Sequence, residues 1–250
     1  MAAEKYDFSK IGFDDFRRFA SDSNMSPYEK IGFPNFYREG AEAEIFDDIC
    51  SKLLPLNRRG CRILDIGPGC SDLPRMLIEK CVANEHELHL VDSEEMLALL
   101  PDLPLIKKVA AKYPDCPAEI AEWTGRIDAI LCYSVMHYLI IEVAFLKWFD
   151  ISLSLLAPGG YLLFGDIPNI SKRKRFFSSE AGIRFHREFM KTEDSPLVEF
   201  NRIEFDSIDD SILVSLLLRA RGQGFDAYLL PQRPTLPMAN RREDLLIVRP

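Results

Sequence analysis

The 250-residue chain lacks most of the features that would identify a metal, redox or membrane protein from sequence. Its six cysteines, Cys50, Cys61, Cys70, Cys81, Cys116 and Cys132, form no C-x-x-C pair. Most sit in apolar segments, which reads as reduced core thiols rather than a disulfide framework. The four histidines, His86, His89, His137 and His186, show no ligand spacing, so no metal is expected. The most apolar stretch, Ala129 to Phe149, is interrupted by His137, Glu142 and Lys147, which makes it core and not a membrane span. No apolar run follows the first five residues, so no signal peptide is read and a cytoplasmic location is expected. A net charge of −8 leaves no basic excess for a broad nucleic-acid face.

One glycine is also missing. The stretch Arg62-Ile63-Leu64-Asp65-Ile66-Gly67-Pro68-Gly69-Cys70-Ser71-Asp72-Leu73-Pro74 begins as a buried strand, turns through two glycines and opens a helix. Ser71 is a natural N-cap, Asp72 suits the positive end of a helix, and Pro74 is tolerated in the first turn. Such a unit builds the ligand crevice of a doubly wound α/β sheet. A dinucleotide fingerprint requires a third glycine, and its position here is Asp72. A carboxylate there would repel a pyrophosphate.

Further strands follow in alternation with helices. Strand 2 is Glu87 to Val91 and ends at Asp92, with Ser93 as the next N-cap. An acid 25 residues after Gly67 can accept both hydroxyls of a ribose. Met96, one turn into the helix, can pack on the base. A third strand over Leu105 to Val109 leads into Lys112 and Tyr113, which would face the adenine edge. Strand 4 is Ile127 to Cys132, continuous and apolar as a central parallel strand should be. A helix from Glu142 to Leu156 is closed by Pro158-Gly159-Gly160, and strand 5 runs Tyr161 to Gly165. After a helix over Ser211 to Arg221, two short strands are read, Phe225 to Leu230 and Asp244 to Val248.

The pattern Asp65-x-Gly67-x-Gly69 resembles the first motif of class I S-adenosylmethionine (SAM) methyltransferases, with Ser71 standing where that family often has glycine. Leu155 to Leu163 resembles the family's LxPGG turn into strand 5, and Tyr133 to Tyr138 its segment after strand 4, where a histidine often stands at the place of His137. The resemblance spans residues 62 to 166. It implies a doubly wound, seven-stranded, mostly parallel sheet with an antiparallel last strand. It also implies SAM as cofactor, held by Asp65, Gly67, Pro68, Gly69, Ser71, Asp92, Ser93, Met96, Lys112, Tyr113, Tyr133 and Ser134. SAM carries a sulfonium and an ammonium but no phosphate, so acids in the crevice are acceptable.

Two regions lie outside the motifs. Residues 1–56 precede a catalytic domain over 57–250, carry a near repeat (Lys10-Ile11-Gly12-Phe13 and Lys30-Ile31-Gly32-Phe33), and are expected to cap the site's mouth. The insertion 167–208 follows strand 5 and is expected to form an acceptor lid. It opens with Lys172-Arg173-Lys174-Arg175, and Arg241 and Arg242 can reach the same mouth. Lys172, Arg173, Arg175, Arg241 and Arg242 are therefore candidate contacts for a small anionic acceptor such as an acidic sugar, a sugar phosphate or a nucleotide-linked sugar. If the acceptor is a hydroxyl, a base must take its proton, and His137, His186 and Asp166 are the candidates. Two other readings stay open: a nicotinamide-dependent oxidoreductase, which Asp72 disfavours, and a non-catalytic SAM-binding module.

Overall fold

The computed structural model describes residues 11–142, 144–202 and 204–250, so Lys10 of the near repeat lies outside the described residues. Seven strands form one sheet in the order β3-β2-β1-β4-β5-β7-β6. They are β1 (Arg62–Ile66), β2 (Glu87–Asp92), β3 (Ile106–Ala110), β4 (Ile127–Tyr133), β5 (Leu156–Pro168), β6 (Asp226–Pro231) and β7 (Arg242–Val248). The first five pair in parallel, and β7 runs antiparallel to both β5 and β6. This is the expected doubly wound α/β architecture.

The central strands are apolar on both faces because helices cover both. On one side, α3 (Glu42–Lys52) and α4 (Asp72–Ala83) bury Ile45, Ile49, Leu77 and Ile78 against Ile63, Leu88 and Leu131. On the other, α8 (Phe145–Leu155) and α11 (Asp210–Gly222) bury Trp148, Phe149, Leu153, Leu213 and Leu216 against Ile130, Leu162 and Phe164. All six cysteines are free thiols. No helix among the described residues is long and apolar enough to cross a membrane.

Three boundaries differ from the sequence expectation. The helix expected over Glu142 to Leu156 is α8, Phe145 to Leu155, and the segment before it, which carried no helix expectation, holds a further helix, α7 (Met136–Glu142). Strand β5 begins at Leu156 because the Pro158-Gly159-Gly160 turn is a bulge within it, shifting the pairing with β4 between Ile127 and Ala129. The same strand runs on to Pro168, past a second irregularity between Phe164 and Ile167. That irregularity lies at the C-terminal end of the sheet, where ligands bind in folds of this type.

Four more helices matter below. Phe13–Ser21 (α1) and Pro27–Lys30 (α2) precede α3. The insertion after β5 contains α9 (Ile170–Phe177) and α10 (Glu180–Met190). Asn169 caps α9, accepting from the amides of Ser171 and Lys172 at 2.9 and 3.1 Å, and its own amide donates to Asp210 and Glu243.

Candidate functional site

The cleft at the C-terminal ends of β1, β2 and β4 is built first by the turn after β1. Gly67 and Gly69 have φ of +70° and +68°, the left-handed region that glycine adopts without strain. A Cβ on Gly67 would lie 2.8 Å from a methyl of Val135, and one on Gly69 would lie 2.6 Å from a methyl of Ile31. The turn therefore needs glycine twice, for its dihedrals and for the close approach of those side chains. Asp92, at the end of β2, secures it: the carboxylate accepts from the amides of Gly69 at 3.2 Å and Ser93 at 2.7 Å. The Ser93 hydroxyl in turn accepts from the amide of Met96.

The cleft encloses about 1030 Å³ of empty space including its open mouth. Of the residues expected to hold a cofactor, Asp65, Gly67, Pro68, Gly69, Ser71, Asp92, Met96, Lys112, Tyr113, Tyr133 and Ser134 line it. Ser93 lies just behind, buried as the helix cap. Burial raises the Asp65 carboxyl to about 8, helped by the neighbouring Asp92. Burial likewise raises Asp92 to about 6, against the two amides that favour its charge. Aromatic and apolar side chains from the N-terminal segment and α7 complete the wall: Phe13, Phe16, Ile31, Phe33 and Tyr138. The Phe16 and Tyr138 rings meet edge to face at 4.9 Å.

A second polar centre closes the cleft on the β4–β5 side. Asp166 sits in β5 with φ of +56°, at the irregularity before Ile167. Its amide donates to Asp244 at 2.9 Å instead of continuing the ladder. Its carboxylate accepts from Arg38 at 2.8 Å, from Arg242 at 3.2 Å and from the Ser134 hydroxyl. Gln232 donates to both Asp166 and Asp244, and Lys52 pairs with Asp244 at 2.7 Å. Burial alone would raise the Asp166 carboxyl, but Arg242, Arg38 and Ser134 outweigh it and hold it below the ordinary range. Breaking one such buried pair leaves the other charges uncompensated, typically at a cost of about 3–5 kcal/mol.

The three expected proton acceptors are thus placed very differently. Asp166 is spent on two arginines. His137, on α7, lies against Tyr138 with ring centroids 3.9 Å apart and the planes tilted by 42°, and its sealed Nδ1 has no hydrogen-bond partner among the described residues. Burial, reinforced by Arg242, lowers it to about 3. His186 is not brought to the cleft; it lies on α10 in a separate groove with Phe177, Leu197 and Arg202.

The basic residues divide as well. Lys172 donates to the carbonyl of Arg242 at 2.7 Å, and Arg175 pairs with Asp210. Arg173 lies over the Phe177 ring at 5.6 Å, in the His186 groove. Arg241 is half-buried; burial lowers it first, and its neighbours Arg242 and Arg173 lower it further. Arg38 and Glu42 were invisible to sequence reasoning. Arg38 lines the cleft and stacks over Phe33 at 4.2 Å. Glu42 is 3 % exposed, and neither of its carboxylate oxygens has a hydrogen-bond partner among the described residues. Neither residue lies in a motif; only the fold brings Arg38 into the cleft wall and Glu42 behind it, near Arg38 and Ser71.

No family model matches the chain, and no curated protein does. Solved structures do. The chain is similar to the plantazolicin methyltransferase BpumL in complex with a monoazolic desmethylPZN analog and SAH, at 12% identity and a TM-score of 0.57, covering 95% of this chain and 97% of that one. It is similar to the CurJ carbon methyltransferase, at 17% identity and a TM-score of 0.55 over 95% of this chain, but spans only 64% of that one. The N-methyltransferase NodS from Bradyrhizobium japonicum WM9, in complex with S-adenosyl-L-homocysteine, matches at 12% identity and a TM-score of 0.53 over 95% and 98% of the two chains. At these identities the likeness establishes the class I methyltransferase fold.

The raised carboxyls give a test of the cleft's electrostatics. Asp65 is held above its unfolded value near 3.8, so its favourable contribution to folding is complete below that pH and is lost as pH rises through about 8. Asp65→Asn should therefore gain stability relative to the parent between pH 4 and pH 8, as read by urea unfolding of the ligand-free protein. A difference that stays flat over that range would contradict an uncompensated carboxyl there.

Proposed function

We propose that this chain is a SAM-dependent methyltransferase acting on a small acceptor. The observation that carries the reading is the Gly67-Pro68-Gly69 turn, set between the buried Asp65 and Asp92 at the crevice of this sheet. Two acids raised by burial fit a ligand that brings positive charge and two ribose hydroxyls. They do not fit a pyrophosphate, and Asp72 at the start of α4 opposes one further. SAM, when bound, supplies a methyl group on a sulfonium, activated for in-line transfer.

The chain's own residues do the rest. Gly67, Pro68, Gly69 and Ser71 let the backbone approach the ligand closely, and Asp92 accepts from the ribose hydroxyls. Met96, Lys112 and Tyr113 flank the base, with Ser93 fixing the Met96 turn. Asp65 answers the positive charge, while Tyr133 and Ser134 close the end beside Arg38. In this reading residues 1–56 are a cap, because Phe13, Phe16, Ile31 and Phe33 wall the cleft against water. The insertion 167–208 is the acceptor lid.

Proton abstraction has little support. His137 is lowered to about 3 and is a weak base, the ionised Asp166 is held by two arginines, and His186 stands outside the cleft. Catalysis is then mainly positioning and exclusion of water. An acceptor that already presents a lone pair, such as an amine or an ionised oxygen, suits this best.

The anionic character of the acceptor rests on Arg241. Lys172 and Arg175 are engaged within the protein, whereas Arg241, which donates to the Asn240 side chain at 3.4 Å, is half-buried beside Arg173 and Arg242 with only the Tyr37 phenol favouring its charge among the described residues. A carboxylate or phosphate would relieve that repulsion. Acidic sugars, sugar phosphates and nucleotide-linked sugars have this chemistry.

Two measurements check the proposal. Asp92→Ala should weaken SAM binding by about 1.5–3 kcal/mol in isothermal titration, the worth of hydrogen bonds to a charged group; unchanged affinity in a folded variant would remove Asp92 from the ribose. Arg241→Met should raise acceptor KM about tenfold for each 1.4 kcal/mol of binding lost, with SAM affinity unchanged. A neutral acceptor, or an unchanged KM, would overturn the anionic reading.

A further inference from the structure

Glu42, in the first turn of α3, is a buried acid without a bond. It is 3% exposed, and neither of its carboxylate oxygens has a hydrogen-bond partner among the described residues. Leaving a buried acceptor unsatisfied is costly, and an acid in that state calls for a donor from outside the chain. Arg38 is near but spends its Nη2 on Ser134 and Asp166. Ser71 is the matching anomaly on α4. It stands at the N-cap position, yet its side chain makes no cap hydrogen bond. It is 2% exposed, and it lines the cleft with Glu42 behind it. Burial raises the Glu42 carboxyl, against Arg38 and then the Ser71 hydroxyl, both close enough to favour its charge.

The place of this pair in the cleft identifies what it meets. Met96, Lys112 and Tyr113 follow β2 and β3 at one end, whereas Arg38 is tied to Ser134 after β4 and to Asp166 in β5 at the other. With the base of SAM at the first end, the amino-acid chain on its sulfur runs toward the second. That chain ends in an ammonium and a carboxylate. Arg38 offers a cation to the carboxylate, and the acid behind Ser71 offers the opposite sign to the ammonium. The positive ends of α3 and α4 are each offset by an acid in the first turn, Glu42 and Asp72. A hydroxyl at this place is also this chain's own departure, since Ser71 stands where the family it resembles often has glycine.

We infer that Ser71 and Glu42 together seat the ammonium of the cofactor: the Ser71 hydroxyl accepts from it and donates in turn to the Glu42 carboxylate. The inference rests on the cleft being a SAM site, with the sulfonium left to Asp65. Ser71 is the contact, and Glu42 is a positioning residue that acts through it. The test is isothermal titration of the full chain with S-adenosylhomocysteine and with its deamino analogue, which keeps base, ribose, sulfur and carboxylate and lacks only the ammonium. The wild type should prefer S-adenosylhomocysteine by roughly tenfold or more. Glu42→Gln and Ser71→Ala should each weaken S-adenosylhomocysteine by about that factor and leave the analogue unchanged, so the preference disappears. Neither change should unfold the chain: glutamine matches glutamate in size and removes a buried charge, and alanine at Ser71 takes away no cap bond. Urea midpoints no lower than the parent's would verify this. A wild type that binds both ligands equally would overturn the inference alone, as would folded variants that keep the preference or lose both ligands by the same factor. A wild type that binds neither ligand would overturn the SAM site and the ammonium seat together.

Discussion

The cleft depends on a single buried carboxylate, Asp166. It is the meeting point of Arg38 from the N-terminal segment, Ser134 after β4, and Arg242 at the start of β7. These residues are far apart in the chain, and among the described residues no backbone pairing joins the N-terminal segment to the sheet there. Asp166 can serve them because β5 departs from regular pairing at this point. Its left-handed φ turns the backbone amide onto Asp244, and Gln232 and Lys52 complete the charge balance around that second acid. Remove the carboxylate and two buried arginines face each other over Phe33. The wall that carries Phe33 and Arg38 would then lose its tie to the strands.

The two ends of the cleft differ in how their acids are treated. Asp166 is surrounded by cations and stays ionised. Asp65 and Asp92 are buried with no described cation against them, and burial raises both. One end is thus complete in charge. The other holds two acids whose ionisation costs free energy until positive charge arrives. This asymmetry orients the proposed cofactor, since a cationic ligand gains most at Asp65 and Asp92. It also separates the proposed acceptor contact at Arg241 from the cofactor's own acids.

What was legible in the sequence follows the range of the interactions. Asp65, Gly67, Gly69 and Asp92 could be read because a strand, a tight turn and a helix N-cap are local features with fixed spacing. The sheet followed from the alternation of apolar runs with helical ones. Arg38 could not be read, since its partner lies 128 residues away and its neighbours, Tyr37 and Glu39, look like ordinary surface. The run Lys172 to Arg175 looked like one basic face. On a helix its members point in different directions, and Asp210, Glu204 and the Arg242 carbonyl claim three of them. His186 looked like a candidate base because nothing in the sequence says where the insertion folds. The helix α7 was equally hidden, because the apolar pattern of β4 runs on through Val135 and Met136 to Leu139.

The central claim is that the crevice over Gly67 and Gly69 is a SAM site. A crystal structure of the full chain grown with S-adenosylhomocysteine tests it most directly. The account predicts the ribose hydroxyls on the Asp92 carboxylate, the base beside Met96 and Tyr113, and the sulfur facing the space between Asp65 and Tyr138. Ligand density elsewhere, or a crevice that stays empty at saturating S-adenosylhomocysteine and fills with a nicotinamide dinucleotide instead, would contradict it.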